Sequence, residues 1–61
     1  MATETRVAQK DKLHALLTVK KSYENAGIEI LKEFKMIIQI AKAAMEAEDI
    51  AHVEKQVYEA D

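Results

Sequence analysis

The side chains of this chain that could take part in chemistry are few, and the two histidines come first. A metal site on a helix needs a second histidine or a carboxylate three or four residues away, because those positions share one face. His14 has a lysine, a leucine and a threonine among its helical neighbours, and Glu48 lies four residues before His52. One carboxylate–histidine pair is too small a ligand set for a metal ion. We therefore expect both histidines to be surface residues and no metal to be bound.

Nucleophilic and acid–base catalysis are not indicated either. Ser22 is the only serine in the sequence, and no histidine is spaced to activate it within one helix. Carboxylate pairs such as Glu29 and Glu33 have no predicted cleft that would shift their pKa values. A phosphate-binding loop needs several glycines, and the only glycine of this chain is Gly27. We expect no enzymatic activity and no cofactor.

A small basic cluster gives an alternative reading in which the chain binds an anion. Lys20, Lys21 and Tyr23 lie close together in the sequence, and lysine charge beside an aromatic ring can hold a nucleotide or a nucleic-acid backbone. The structural reading of the same residues is that Lys20 extends past neighbouring leucines towards water while Tyr23 closes the edge of the core. The structural reading is favoured, and anion binding is kept as the alternative function.

The segment from Phe34 to Met45 carries the strongest signal, because nine of its twelve positions are apolar. At 100° per residue, the polar residues fall within an arc of roughly 80°: Lys35, Gln39 and Lys42 inside the segment, with Lys32 and Glu46 on either side of it. An ordinary surface helix has an apolar arc of about 100° or slightly more. This helix therefore needs neighbours on two or three sides. The lysines that border it could instead place it on an anionic membrane, but the acidic carboxyl-terminal third opposes that reading.

Length and composition point to self-association as the source of those neighbours. The 61 residues include no cysteine, no proline and one glycine, so disulfides and thiolate metal sites are excluded. Chains near this size usually need such a supplement or a partner subunit. The net charge of −2 is uneven: residues 1–21 hold five basic residues against two acids, and residues 22–61 hold four against nine. With no apolar signal peptide at the start, a cytoplasmic protein is expected.

The pattern predicts a helical hairpin with a carboxyl-terminal extension as one domain, residues 1–61. Helix 1 is expected at about residues 5–24, a turn at 24–27 with Gly27 as its left-handed residue, helix 2 at 28–47 and a helical extension at 48–59. The extension either continues helix 2 or forms a short third helix capped by Asp49. In the hairpin, Lys20 and Lys21 come level with Glu29 and Glu33 and are expected to pair with them.

The sequence therefore predicts an all-α protein, a helical hairpin that assembles into a homo-oligomeric helical bundle and most simply into a homodimer. Its expected function is to bind another protein as inhibitor, adaptor or regulator. Eleven apolar residues are predicted to form the self-association surface: Leu13, Leu16, Leu17, Phe34, Ile37, Ile38, Ala41, Met45, Ile50, Val53 and Val57.

Overall fold

The first helix, α1, spans Ala2–Asn25 and ends at the chain's only glycine. The structure is a computed structural model that describes the backbone of residues 2–59 and the side chains of residues 4–59. After α1 the N–H of Ile28 donates to the carbonyl of Tyr23 at 2.9 Å, and the N–H of Gly27 donates to that of Glu24 at 3.1 Å. This pair of bonds is a Schellman motif, and Gly27 takes the left-handed position with φ of +73°. The chain therefore turns back at Gly27.

The second helix, α2, is shorter than predicted and spans Lys32–Ala43. Residues 28–31, expected to begin helix 2, lie outside it, and Leu31 is the N-cap with extended φ and ψ of −63° and 146°. The Schellman motif uses the N–H of Ile28, so the chain leaves α1 in an extended direction. Two of the four residues in this connection are isoleucines, which lose side-chain freedom inside a helix and tolerate an extended backbone well.

A tight turn at residues 44–46 separates α2 from a third helix, α3, which spans Ala47–Glu59. The N–H of Ala44 donates to the carbonyl of Ala41 at 3.3 Å, and that of Met45 to Lys42 at 3.0 Å. Hydrogen bonds of this kind join residue i+3 to residue i, as in a 3₁₀ helix. They tighten the last turn of a helix and can end it without glycine or proline. The extension is thus a separate helix. Asp49 lies within its first turn and bonds to another helix rather than acting as the N-cap.

The long helix α1 packs against both other helices, and more extensively against α3 than against α2. Arg6 contacts Asp49 near the starts of α1 and α3, and Lys20 contacts Tyr58 near their ends, so these two helices run parallel. The described residues thus form three helices and no strand, which confirms the all-α class for this part of the chain. The apolar face of α3, which was expected to need a partner subunit, is covered by α1 of the same chain.

Candidate protein-interaction surface

Ten of the eleven residues predicted for self-association lie in the core of the single chain. Because α3 folds back along α1, their first role is to hold one chain together. Ile37 differs from the other ten, since 45% of its surface is exposed. Six are buried and four are partly buried against them: Leu13, Leu17, Ile38, Ala41, Val53 and Val57, then Leu16, Phe34, Met45 and Ile50.

One side of α2, next to its core positions, is apolar and exposed, and we call it the α2 outer face. It consists of five exposed residues: Met36, Ile37, Ile40, Ala43 and Ala44. Ile40 has the highest solvent exposure of the isoleucines, at 66%. At 100° per residue these positions occupy an arc of about 120°. The buried positions, Ile38 and Ala41, lie on the neighbouring side of the helix, beyond Ile37. The unusually wide apolar arc is therefore half used by the core and half open to solvent.

Two apolar grooves between α1 and α2 extend the α2 outer face. The Tyr23 groove, of about 130 Å³, is lined by Val19, Tyr23, Ile30, Leu31 and Phe34. The Lys12 groove, of about 150 Å³, lies towards the other end of α2 and is lined by Gln9, Lys12, Ile40, Ala41 and Ala44. Both grooves are shallow, and neither encloses a small molecule. Together with the α2 outer face they make one long, largely apolar surface.

The basic cluster predicted as an anion site is divided by the fold. The ammonium of Lys20 donates to the carboxylate of Glu24 at 3.0 Å and to the Tyr58 hydroxyl at 3.3 Å, and it lies 5.7 Å from the centre of that ring. Lys21 donates to the carbonyl of Val57 at 2.9 Å. Tyr23 instead lines the Tyr23 groove beside α2. The three side chains therefore do not converge on one pocket.

The ion pairs differ from those predicted for the hairpin. Lys20 pairs with Glu24 on its own helix instead of with Glu29 or Glu33. The hydrogen bond to Glu24 is the main cause that raises the pKa of Lys20, and burial opposes it. The predicted pairing assumed that helix 2 began at Ile28. Because residues 28–31 are extended, Glu29 and Glu33 do not take the positions that a continuous helix would give them.

An ion pair between α1 and α3 is one that sequence reasoning missed. Nε and one terminal nitrogen of Arg6 donate to the two carboxylate oxygens of Asp49, at 3.1 and 3.0 Å. The hydrogen bond from Arg6 lowers the pKa of Asp49 against the opposing effect of burial, and the same bond raises the pKa of Arg6. The signal in the sequence was the position of Asp49, four residues before the core residue Val53 and therefore on the buried face of α3. This bidentate pair joins the amino-terminal ends of α1 and α3.

The two histidines, predicted to be unrelated surface residues, line one groove between α1 and α3. This groove, of about 240 Å³, also contains Asp11, which lies three residues before His14 and which the sequence reasoning passed over. Even so, no group of three histidine, cysteine or acidic side chains among the described residues is arranged to hold a metal ion. None of the three described helices is both long enough and apolar enough to cross a bilayer.

Comparisons of the chain with protein-family models, with curated proteins and with solved structures found no match.

Proposed function

We propose that this chain is a small protein-interaction module that associates with a copy of itself and, as that assembly, binds another protein as inhibitor, adaptor or regulator. The observation that carries the proposal is the exposed apolar surface formed by the α2 outer face and the two grooves beside it. The core of the single chain leaves this surface uncovered. Apolar side chains clustered in this way mark contact sites on proteins that remain soluble.

The size of the surface is sufficient for association. Six of its side chains are between 42% and 74% exposed, which together equals about three whole side chains: Val19, Tyr23, Leu31, Met36, Ile37 and Ile40. At about 1.5–3 kcal/mol for each side chain fully buried, complete burial contributes about 5–10 kcal/mol per protomer. Two protomers together contribute twice that, against roughly 4–15 kcal/mol for the lost freedom of association. A dimer with a micromolar Kd is consistent with these magnitudes.

The protein-binding proposal agrees better with the geometry than the anion-binding alternative does. An anion site needs ammonium groups directed at an open pocket, whereas those of Lys20 and Lys21 donate to groups near the end of α3. The ammonium of Lys20 is held at the hydroxyl edge of the Tyr58 ring, 3.3 Å from the hydroxyl oxygen. A panel of nucleotides and inorganic phosphate is therefore expected to leave the thermal unfolding temperature unchanged.

Self-association is tested with two variants that each introduce one negative charge, on different sides of α2. Ile40→Glu introduces a carboxylate on the α2 outer face, and Gln39→Glu introduces the same carboxylate one residue earlier, on the polar side of the helix. Light scattering and sedimentation should show an oligomer for the parent chain and for Gln39→Glu, and a folded monomer for Ile40→Glu. A parent chain that stays monomeric and helical at tens of micromolar would refute self-association. Equal behaviour of the two variants would refute the assigned surface.

Binding to another protein is tested with the same pair of variants. Each chain is immobilised and exposed to extract from the native host, and proteins retained by the parent and by Gln39→Glu but released by Ile40→Glu are sought. Direct titration with the purified retained protein then measures its Kd for all three chains. Retention that is equal for Ile40→Glu and for the parent would contradict a role of the assembled surface in partner binding.

A further inference from the structure

We infer that the occupant of the α2 outer face is a second copy of the same chain, packed with its α2 antiparallel, so that Lys12 of each copy lies beside Glu33 of the other. This inference rests on the proposed self-association and adds its geometry. It starts from an asymmetry along the surface. Glu33, in the first turn of α2, interrupts the apolar arc at one end, and Lys12 on α1 lines the groove at the other end beside Ala44.

A two-fold axis makes these two ends complementary. In an isologous dimer the same surface is used twice, so any contact of residue i with residue j also occurs as j with i. Each copy presents an acid at the amino-terminal end of α2 and a lysine at the carboxyl-terminal end. An antiparallel arrangement therefore brings each acid onto the partner's lysine. A parallel arrangement would instead place acid beside acid and lysine beside lysine, which is repulsive.

The apolar residues set the register of this pairing. The two isoleucines at the middle of the α2 outer face, Ile37 and Ile40, are about one turn apart. When Ile37 faces Ile40 of the partner subunit, the side chain of each copy packs into the space beside the side chain of the other copy. Because the two helices run in opposite directions, the position four residues before Ile37 faces the position four residues after Ile40 of the partner subunit. Glu33 then lies opposite Ala44 of the partner subunit. Lys12 shares a groove with Ala44, so its ammonium is within reach of the incoming carboxylate.

The charges of the single chain leave both groups available for this contact. The ion pairs between described residues join Arg6 to Asp49, Lys20 to Glu24 and Lys42 to Glu54, and none of these uses Lys12 or Glu33. Both residues are exposed. A single acid on an otherwise apolar face disfavours contact with an uncharged surface and favours one that supplies a cation. The second copy supplies that cation at the required place.

Charge reversal tests the inference. Lys12→Glu and Glu33→Lys each replace two attractive contacts per dimer with two repulsive ones. Loss of the two attractions alone should raise the dimer Kd by roughly 2- to 30-fold, and the repulsions should raise it further. The variant that carries both changes should return to the parent Kd, and so should an equimolar mixture of the two single variants, in which the mixed dimer regains both contacts. The two single changes shift the net charge in opposite directions, so a general charge effect would not weaken both. Lys35→Glu, on the polar side of α2, is the matched control and should leave the Kd unchanged.

Cysteine cross-linking provides a second measurement, since the parent chain has no cysteine. When Ile37→Cys and Ile40→Cys chains are mixed and oxidised, the antiparallel register predicts more of the mixed disulfide than of either symmetric one. A disulfide requires Cα atoms within about 7 Å, and the offset of one turn disfavours the symmetric pairs. If the chain dimerises through Ile40 but the single reversals have no effect and symmetric disulfides dominate, the antiparallel inference is wrong and the proposed function stands. If the parent does not associate, both fail.

Discussion

The contrast between two isoleucines of α2 is the most direct prediction of this structure. Ile38 is 3% exposed and lies in the core, whereas Ile40, two residues later, is 66% exposed on the α2 outer face. The sequence alone places both in one continuous apolar arc, and it is Ile38, not Ile40, that is among the residues predicted for self-association. The structure predicts that Ile38→Ala destabilises the single chain and that Ile40→Ala weakens only its association.

The expected magnitudes differ enough to be separated by experiment. Removing a buried isoleucine side chain typically costs about 2–5 kcal/mol. The whole stability of a chain of this size is roughly 3–9 kcal/mol at 0.05–0.15 kcal/mol per residue, so Ile38→Ala should remove a large part of it. For Ile40→Ala, the free energy of unfolding of the monomer should change by less than about 0.5 kcal/mol.

The effect of Ile40→Ala on the dimer follows from its exposure. Burying two-thirds of an isoleucine contributes about 1–2 kcal/mol. Each dimer contains two copies, so the loss is about 2–4 kcal/mol and the Kd should rise by roughly 30- to 700-fold. The residue is thus expected to matter for assembly far more than for folding.

Urea unfolding followed by circular dichroism measures the first effect, and sedimentation equilibrium measures the second. Unfolding is recorded below the parent Kd, so that association does not add to stability. A loss of stability in Ile40→Ala equal to that in Ile38→Ala would refute the division of α2 into a core side and an outer side. So would an Ile38→Ala chain with an unchanged urea midpoint.

Three local features make separate predictions. Gly27→Ala meets no atom within 4 Å, but it must hold a φ of +73°, so urea unfolding should show a loss of about 1 kcal/mol. Because Arg6 lowers the folded pKa of Asp49, the stability from this pair is fully present above the unfolded pKa of about 3.9, and it is lost as the pH falls from there through the lower folded pKa. The urea midpoint should therefore fall below about pH 4 in the parent, and the fall should be smaller in Asp49→Asn. A double-mutant cycle on Lys42 and Glu54, 3.2 Å apart and partly exposed, should give a favourable coupling of about 0.2–1 kcal/mol; an unfavourable coupling would contradict this ion pair between α2 and α3.

The end of α1 is the one helix boundary that the backbone preference of a single residue, Gly27, allows the sequence to predict. A lone glycine after a helical stretch is the residue best suited to a left-handed position, and the end of α1 is formed at Gly27. The end of α2 had no such signal. Residues 44–46 contain neither glycine nor proline, and Ala44 and Met45 favour helix, so nothing in this stretch separates a tight turn from a continued helix.

The sequence indicates which apolar residues are buried more clearly than it indicates what they pack against. Periodicity shows which side chains avoid water, but a single sequence does not state whether the same chain or another one covers them. Here α3 folds back beside α1, so Val53 and Val57 pack on Leu13 and Leu17 within one chain. The ion pair of Asp49 with Arg6 was missed for a related reason. The two residues are 43 positions apart in the sequence, and only the folded chain brings them together.

The parallel direction of α1 and α3 determines how the bundle responds to mechanical load. The start of α1 and the end of α3 lie at opposite ends of a molecule 39 Å long. A force applied between them acts along the helix axes and slides α1 past α3. The contact between Arg6 and Asp49 at one end and that between Lys20 and Tyr58 at the other are then strained at the same time. A bundle tethered by its two ends should therefore resist extension in shear, with the contacts along α1 and α3 giving way together instead of opening one after another.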